Sequence, residues 1–193
     1  MSAGEHRPYI VGIGGTIRHR SSVERMLRAV LAAAEAEGAE TELFGAGRLD
    51  LPMYAPERAE RDGKAVQLVE AIRRADGFVV GSPGYHGGIS GLVKNALDYV
   101  EDLRDDERPY LHGRAVGCVA CAYGWQATTT TLVSLRSIVH ALRGWPTPLG
   151  LAVNSAEPVF DAHGAIQHEG VAAQVQLMGR QVVEFAVSYT PIP

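Results

Sequence analysis

Apolar residues fall along this chain in short unbroken runs, separated by longer segments in which they recur every three or four positions. The runs are Tyr9-Ile10-Val11, Phe78-Val79-Val80 and Ala115 to Ala122, and the mixed segments Thr41 to Phe44 and Thr147 to Val153 read as a second and a fifth strand beside them. Short runs of this kind, apolar toward both faces, mark strands buried inside a parallel sheet. Between them, Ser22 to Glu37 sets Val23, Met26, Leu27, Val30, Leu31 and Ala34 on one helical stripe that Gly38 ends. Gly63 to Ala75 turns Ala65, Leu68, Val69 and Ile72 inward, and a helix capped by Ser90 does the same with Leu92, Val93, Ala96, Leu97 and Val100. Thr128 to Arg143 and Val171 to Tyr189 repeat the pattern with Leu132, Leu135, Val139 and Leu142, then with Val175, Met178, Val182 and Phe185.

Strands alternating with helices five times predict an α/β fold: a doubly wound, five-stranded parallel sheet with helices on both faces, in a single domain over residues 1–193. In such sheets ligands bind outside the carboxyl ends of the strands, where the strand order reverses. The loops after the first, third and fourth strands should therefore converge. Two long polar loops, Gly45 to Asp62 and Asn154 to Glu169, stand out as candidates for a subunit interface, and Glu101 to Arg108 reads as a solvated charged turn.

Composition narrows the class. A hydrophobic fraction of 46% and a charged fraction of 21% over 193 residues are globular values, with enough chain for one substantial core. The net charge of −4 offers no attraction to nucleic acid or an anionic membrane, so neither is expected as a partner. No apolar run nears the roughly 18 residues needed to span a bilayer. MSAGEHRPY lacks the apolar core of a secretion signal, and a cytoplasmic location is expected. Cys118 and Cys121 have C-x-x-C spacing but lie within an apolar strand. Residues three apart on a strand point to opposite faces roughly 10 Å apart, so this pair reads as core and not as a redox centre.

The chemistry concentrates in the loops. Tyr9 to Ser22, YIVGIGGTIRHRSS, runs from a strand through glycines into a helix start, where unpaired N–H groups and the helix dipole favour an anion. Gly15, Thr16, Arg18, Ser21 and Ser22 are the candidate ligands: hydroxyl donors plus a planar guanidinium suited to phosphate oxygens. A dinucleotide fingerprint would need glycine at position 17, which is Ile17, and no Gly-Lys-Ser/Thr occurs anywhere. A terminal phosphate monoester fits this loop better than a pyrophosphate. Ser82 to Gly91 holds four glycines with Pro83, Tyr85 and His86, exposing main-chain groups to a flat ligand such as an isoalloxazine. Pro83, Gly84, Tyr85, His86 and Gly87 are the candidates there, and Tyr123, Gly124 and Trp125 add flat surface from the third loop.

GGTIRHRSS resembles the phosphate loop of the NADPH-dependent FMN reductase family, with Thr16, Arg18 and Ser21 at the matching positions. SPGYHGGISGLVKNALDY is similar to that family's flavin-ring loop and the helix after it, through Ser82, Pro83, Tyr85, Ser90, Gly91 and Lys94 to Asp98. The resemblance implies a flavodoxin-like fold, FMN as cofactor, NADPH or NADH as hydride donor, a homodimer or homotetramer, and a small-molecule electron acceptor or a flavin-dependent monooxygenase partner. It also implies hydride transfer to the flavin N5 without a protein catalytic residue, and no metal. Lys94 and Asp98, four apart on one helical face, are expected to pair structurally. The third loop departs from the family's frequent Gly-Gly with Tyr123-Gly124-Trp125-Gln126. Two implied activities differ in whether FMN leaves: reduction of FMN as a substrate, or reduction of quinones, azo compounds or similar acceptors by bound FMN. A flavodoxin-type electron carrier without NADPH activity is the reading from another class, and a Rossmann protein binding NAD alone is the weakest.

Overall fold

The computed structural model of this chain describes residues 7–189, so most of the segment read as lacking a secretion signal lies outside the described residues. Its elements are β1 (Tyr9–Gly14), α1 (Ser22–Ala36), β2 (Glu40–Phe44), α2 (Gly63–Arg74), β3 (Gly77–Tyr85), β4 (Gly88–Ile89), α3 (Gly91–Asp98), β5 (Ala115–Ala122), α4 (Trp125–Ala141), β6 (Trp145–Asn154) and α5 (Glu169–Ser188). Five strands pair in parallel in the order β2-β1-β3-β5-β6, and the two-residue β4 adds antiparallel pairing to the end of β3.

The sheet divides the core into two layers. Helices α1 and α5 cover one face, packing Met26, Leu27, Met178 and Val182 against Ile10, Val79, Val119 and Leu151. Helices α2, α3 and α4 cover the other, with Leu68, Ile72, Ala96 and Leu135 against Val11, Phe78, Val80 and Val116. Cys118 belongs to the second layer and Cys121 to the first, as their spacing on a strand requires. Burial pushes both thiols up to about 12, which keeps them protonated at neutral pH. Among the described residues no helix is long and apolar enough to cross a membrane.

Several elements extend beyond the runs that predict them. β3 continues past Val80 through Gly81-Ser82-Pro83-Gly84 to Tyr85, because Ser82 and Pro83 still pair with Ala120 and Cys121 of β5. Main-chain pairing sets where this strand ends; apolar side chains do not. α4 begins at Trp125, three residues ahead of the predicted start at Thr128, directly after Gly124 at φ 109° and ψ 146°. A 3-10 turn at Tyr99–Leu103 opens the charged segment.

The loop from Gly45 to Asp62 is pinned to α3. Asn95 Oδ1 accepts the Tyr54 N–H at 2.8 Å, its Nδ2 donates to the Pro52 carbonyl at 2.9 Å, and the Tyr99 hydroxyl donates to the same carbonyl at 3.0 Å. Arg61 adds a two-pronged bond to Asp102 at 2.6 and 2.7 Å, which holds that carboxyl below the usual carboxylate range. Lys94 and Asp98 pair at 2.5 Å as expected.

After β1 the chain forms β2 on one side and then crosses back to form β3 on the other, so strand order reverses between β1 and β3. That reversal places a crevice at their carboxyl ends. Gly14 sits at its floor with φ 146°, where a Cβ would overlap the Gly81 carbonyl oxygen. The Gly15 N–H donates to that same carbonyl at 3.3 Å.

Candidate functional site

The phosphate-type loop spans the gap from β1 to α1. Ser21 is the helix N-cap, with its buried Oγ accepting the Glu24 N–H at 3.3 Å and its own hydroxyl proton left to donate. The turn before it is held by Glu24, a buried carboxylate. Its Oε2 accepts the N–H of Arg20, a residue in the left-handed region at φ 58°, at 2.9 Å. Its Oε1 accepts from Arg28 at 2.7 Å, an ion pair that neutralises the carboxylate beside the anion loop. Thr16 Oγ1 donates to the Arg18 carbonyl at 3.1 Å, and the Arg18 side chain stands exposed at the mouth. The sequence reading missed Glu24, although Ser21-x-x-Glu24 is the spacing of a capping box.

The second loop is a tight hairpin. Gly84 and Tyr85 of β3 pair with Ile89 and Gly88 of β4 across the two-residue turn His86-Gly87. Both turn residues have positive φ, 49° and 87°, as a type I′ turn requires. Ser82 staples the return: its buried hydroxyl accepts the Ser90 N–H at 2.9 Å and donates to the Pro83 carbonyl at 2.9 Å. Ser90 then caps α3 by accepting the Val93 N–H at 3.3 Å.

These loops enclose a recess of about 330 Å³ at the carboxyl rim. Thr16, Arg18, Ser21 and Ser22 form its polar wall, Pro83, Gly84 and Tyr85 the facing wall, and Tyr123 and Ser155 close it. A second recess of about 470 Å³ shares Thr16, Arg18 and Tyr85 and also takes in Gly15, Ile17 and Ser90 to Leu92. The structure thus gathers Gly15, Thr16, Arg18, Ser21, Ser22, Pro83, Gly84, Tyr85 and Tyr123 around one connected crevice.

Four predicted residues are placed differently. His86 and Gly87 stand exposed at the hairpin tip, because the turn lifts them beyond the wall that Pro83 to Tyr85 provide. The Gly124 N–H is donated to Asn154 Oδ1 at 2.8 Å. Trp125, in the first turn of α4, lines a separate cavity of about 500 Å³ with Asn154, Val159 and His168. Ser155 is a residue the sequence reading passed over; its position, just past the carboxyl end of β6, is the signal that finds it.

A guanidinium and three hydroxyls at one end, with a flat wall of main chain and Tyr85 along the other side, fit a phosphate monoester joined to a planar ring. FMN has that chemistry. Among the described residues no cluster of His, Cys, Asp and Glu could hold a metal ion.

Comparisons with known proteins bear on the family and the fold. Residues 8–158 match the family model described as NADPH-dependent FMN reductase. An NADPH azoreductase of Bacillus sp. (strain OY1-2) is 32% identical over 109 residues, which span 56% of this chain and 58% of that protein. An FMN-dependent NADPH-azoreductase of Staphylococcus aureus (strain USA300) is 26% identical over 185 residues, 93% of this chain and 92% of that one. Among solved structures, the flavoenzyme NAD(P)H:(acceptor) oxidoreductase FerB from Paracoccus denitrificans superposes with a TM-score of 0.75 at 16% identity, covering 94% of this chain and 98% of its own. This last likeness shows the flavodoxin-like fold.

Proposed function

The chain belongs to the NADPH-dependent FMN reductase family, and from that premise we propose that the crevice between β1 and β3 is where it holds FMN. Its reaction is NAD(P)H-dependent flavin reduction, with FMN and NADPH as cofactors. The observation that carries the site is the recess in which Arg18, Thr16, Ser21 and Ser22 face Pro83, Gly84 and Tyr85.

In this reading Arg18 and the hydroxyls of Ser21 and Ser22 bind the phosphate, joined by Thr16 once its hydroxyl turns from the Arg18 carbonyl, and aided by the unpaired N–H groups at the start of α1. Glu24 keeps the loop in its binding shape before the ligand arrives, by holding Arg20 in its left-handed conformation. The main chain from Pro83 to Tyr85 supports one side of the ring, and Tyr123, 84% exposed, shields part of the other. Bound FMN supplies the hydride-accepting ring. The residues around it orient two flat partners and exclude water, and none is required to move a proton.

Retention of FMN decides between the two activities the sequence leaves open. The relatives named azoreductases favour a second reading, in which bound FMN reduces an azo, quinone or similar small acceptor. We extend the proposal to a homodimer or homotetramer in the cytoplasm, built through the loops at 45–62 and 154–169; a flavin-dependent monooxygenase partner belongs to the first activity only. The test is spectroscopic. The protein purified and mixed with FMN is titrated with NADPH under anaerobic conditions, and the yellow absorption is expected to bleach. Persistence of the oxidised spectrum with NADPH and with NADH would defeat the enzyme reading and leave the carrier reading in its place. Copurification of stoichiometric FMN selects the azo or quinone activity over release of reduced flavin.

A further inference from the structure

The last paired residues of β5 and β6 are Ala122 and Asn154, and beyond them both strands run directly into the rim of the recess. Only a few bonds tie the two loops together there. The Ser155 N–H donates to the Ala122 carbonyl at 2.8 Å. The remainder centre on the buried carboxamide of Asn154. Its Oδ1 accepts the Gly124 N–H at 2.8 Å from the third loop and the Ala156 N–H at 3.1 Å from the fourth, while its Nδ2 donates to Glu157 Oε1 at 3.0 Å. The Ala156 bond closes an Asx turn; the Gly124 bond reaches across to another strand.

Gly124 needs such a hold. Its φ of 109° and ψ of 146° lie in a region that residues with a side chain rarely enter, and a Cβ there would touch nothing, so conformation and not crowding demands glycine. Its carbonyl in turn accepts the Thr128 N–H at 3.2 Å and starts α4. The residues on either side of these bonds, Tyr123 and Ser155, line the recess. On the far side of the same wall, Trp125 and Asn154 line the second cavity.

Resting on the FMN reading above, we infer that Asn154 is a positioning residue for the flavin site: its carboxamide locks the third and fourth rim loops together and thereby sets where Tyr123 and Ser155 stand against the ring. It touches neither flavin nor acceptor and acts through Gly124. Loss of the carboxamide leaves two donors without a partner and releases Tyr123, so ligand affinity should fall while the rate of the chemical step changes little.

The polarity of the Asn154–Glu157 bond supplies a test that separates positioning from general stability. N154A removes all three bonds. N154D keeps the acceptor for Gly124 but sets a carboxylate against Glu157. In N154D/E157Q the amide of residue 157 donates to the new carboxylate, restoring all three bonds with the charge moved by three positions. Each variant is compared by fluorescence titration with FMN, by hydrogen exchange of the peptide carrying the Gly124 amide, and by the split between KM and kcat for a quinone probe. N154A is expected to weaken FMN up to about tenfold, the effect of losing one net hydrogen bond, to speed exchange at Gly124, and to raise KM more than it lowers kcat. The double variant is expected to return to within roughly threefold of wild type, inside the usual non-additivity of neighbouring sites. Wild-type affinity in N154A, or a double variant as weak as N154D, overturns the inference. If N154A fails to fold, the comparison of N154D with N154D/E157Q decides alone. A wild-type protein that takes up no FMN defeats the underlying reading first, before any variant is compared.

Discussion

The two ends of this sheet treat their side chains in opposite ways. At the amino end Arg114 is wholly buried, with its guanidinium donating to the carbonyls of Ile72 at 2.5 Å, Arg108 and Tyr110 at 3.0 Å, and His112 at 3.4 Å. It lies 5.5 Å from the Phe78 ring centre, and burial lowers its pKa only to about 10, so it stays charged at neutral pH. Asp76 closes the same end by accepting the Tyr9 N–H at 2.9 Å. At the carboxyl end the reverse holds: Ile17, Tyr85 and Tyr123 are 63%, 54% and 84% exposed, around an open crevice. A satisfied polar group in the dark stabilises the fold; an apolar surface in the light awaits a ligand. One rim holds the sheet together, and the other is the one proposed to bind.

Substitutions should respect that division. The largest effect belongs to Arg114→Met, which strips four carbonyls of their donor and is expected to cost roughly 3–5 kcal/mol of stability; urea unfolding measures it, and FMN affinity of the folded fraction should stay within about threefold. Arg18→Ala should do the opposite, weakening FMN by about 1.5–3 kcal/mol with stability changed by no more than about 0.5 kcal/mol. Unchanged affinity by fluorescence titration would remove Arg18 from the phosphate site. Gly87→Val forces a branched residue to φ 87° at the hairpin tip and should lower flavin occupancy through about 1–3 kcal/mol of strain. Gly88→Val, at a position without positive φ, should have the smaller effect; if occupancy survives both, the hairpin does not line the ring.

The smallest effect tests the loop latch. Asp102 is held below the usual carboxylate range by Arg61, so its stabilising contribution is present above about pH 3.9, the unfolded value, and is lost as pH falls through the lower folded value. Asp102→Asn should remove about 1 kcal/mol or less at neutral pH and flatten the acid limb of a stability-against-pH curve. An unchanged acid limb would show that the Arg61 pair leaves stability untouched.

Much of this architecture was legible in the sequence. The stripe from Val23 to Ala34 could only be a helix, and the run from Ala115 to Ala122 could only be a central strand. The switch-point rule then brought nine of the thirteen candidate residues to one crevice. What stayed hidden depends on main-chain partners that carry no periodicity. Gly81 to Gly84 looks like loop because it lacks apolar side chains, yet it is strand because β5 lies beside it. The His86-Gly87 turn lacks the Asn-Gly signature that announces a type I′ hairpin. Asn154 sits in a long polar stretch like any loop asparagine, and only its bond to Gly124, thirty residues away, marks it out.

The placement of Cys118 and Cys121 on opposite sides of one strand has a practical consequence. Each layer of helices carries a single cysteine, but Cys118 is wholly buried under its layer whereas Cys121 also lines the recess at the carboxyl rim, so an alkylating reagent reaches Cys118 only when its helices lift from the sheet and can approach Cys121 from the recess. Mass spectrometry of the two tagged peptides over time would then clock the opening of the α2–α4 layer at Cys118 and the filling of the recess at Cys121, with no probe added to the chain.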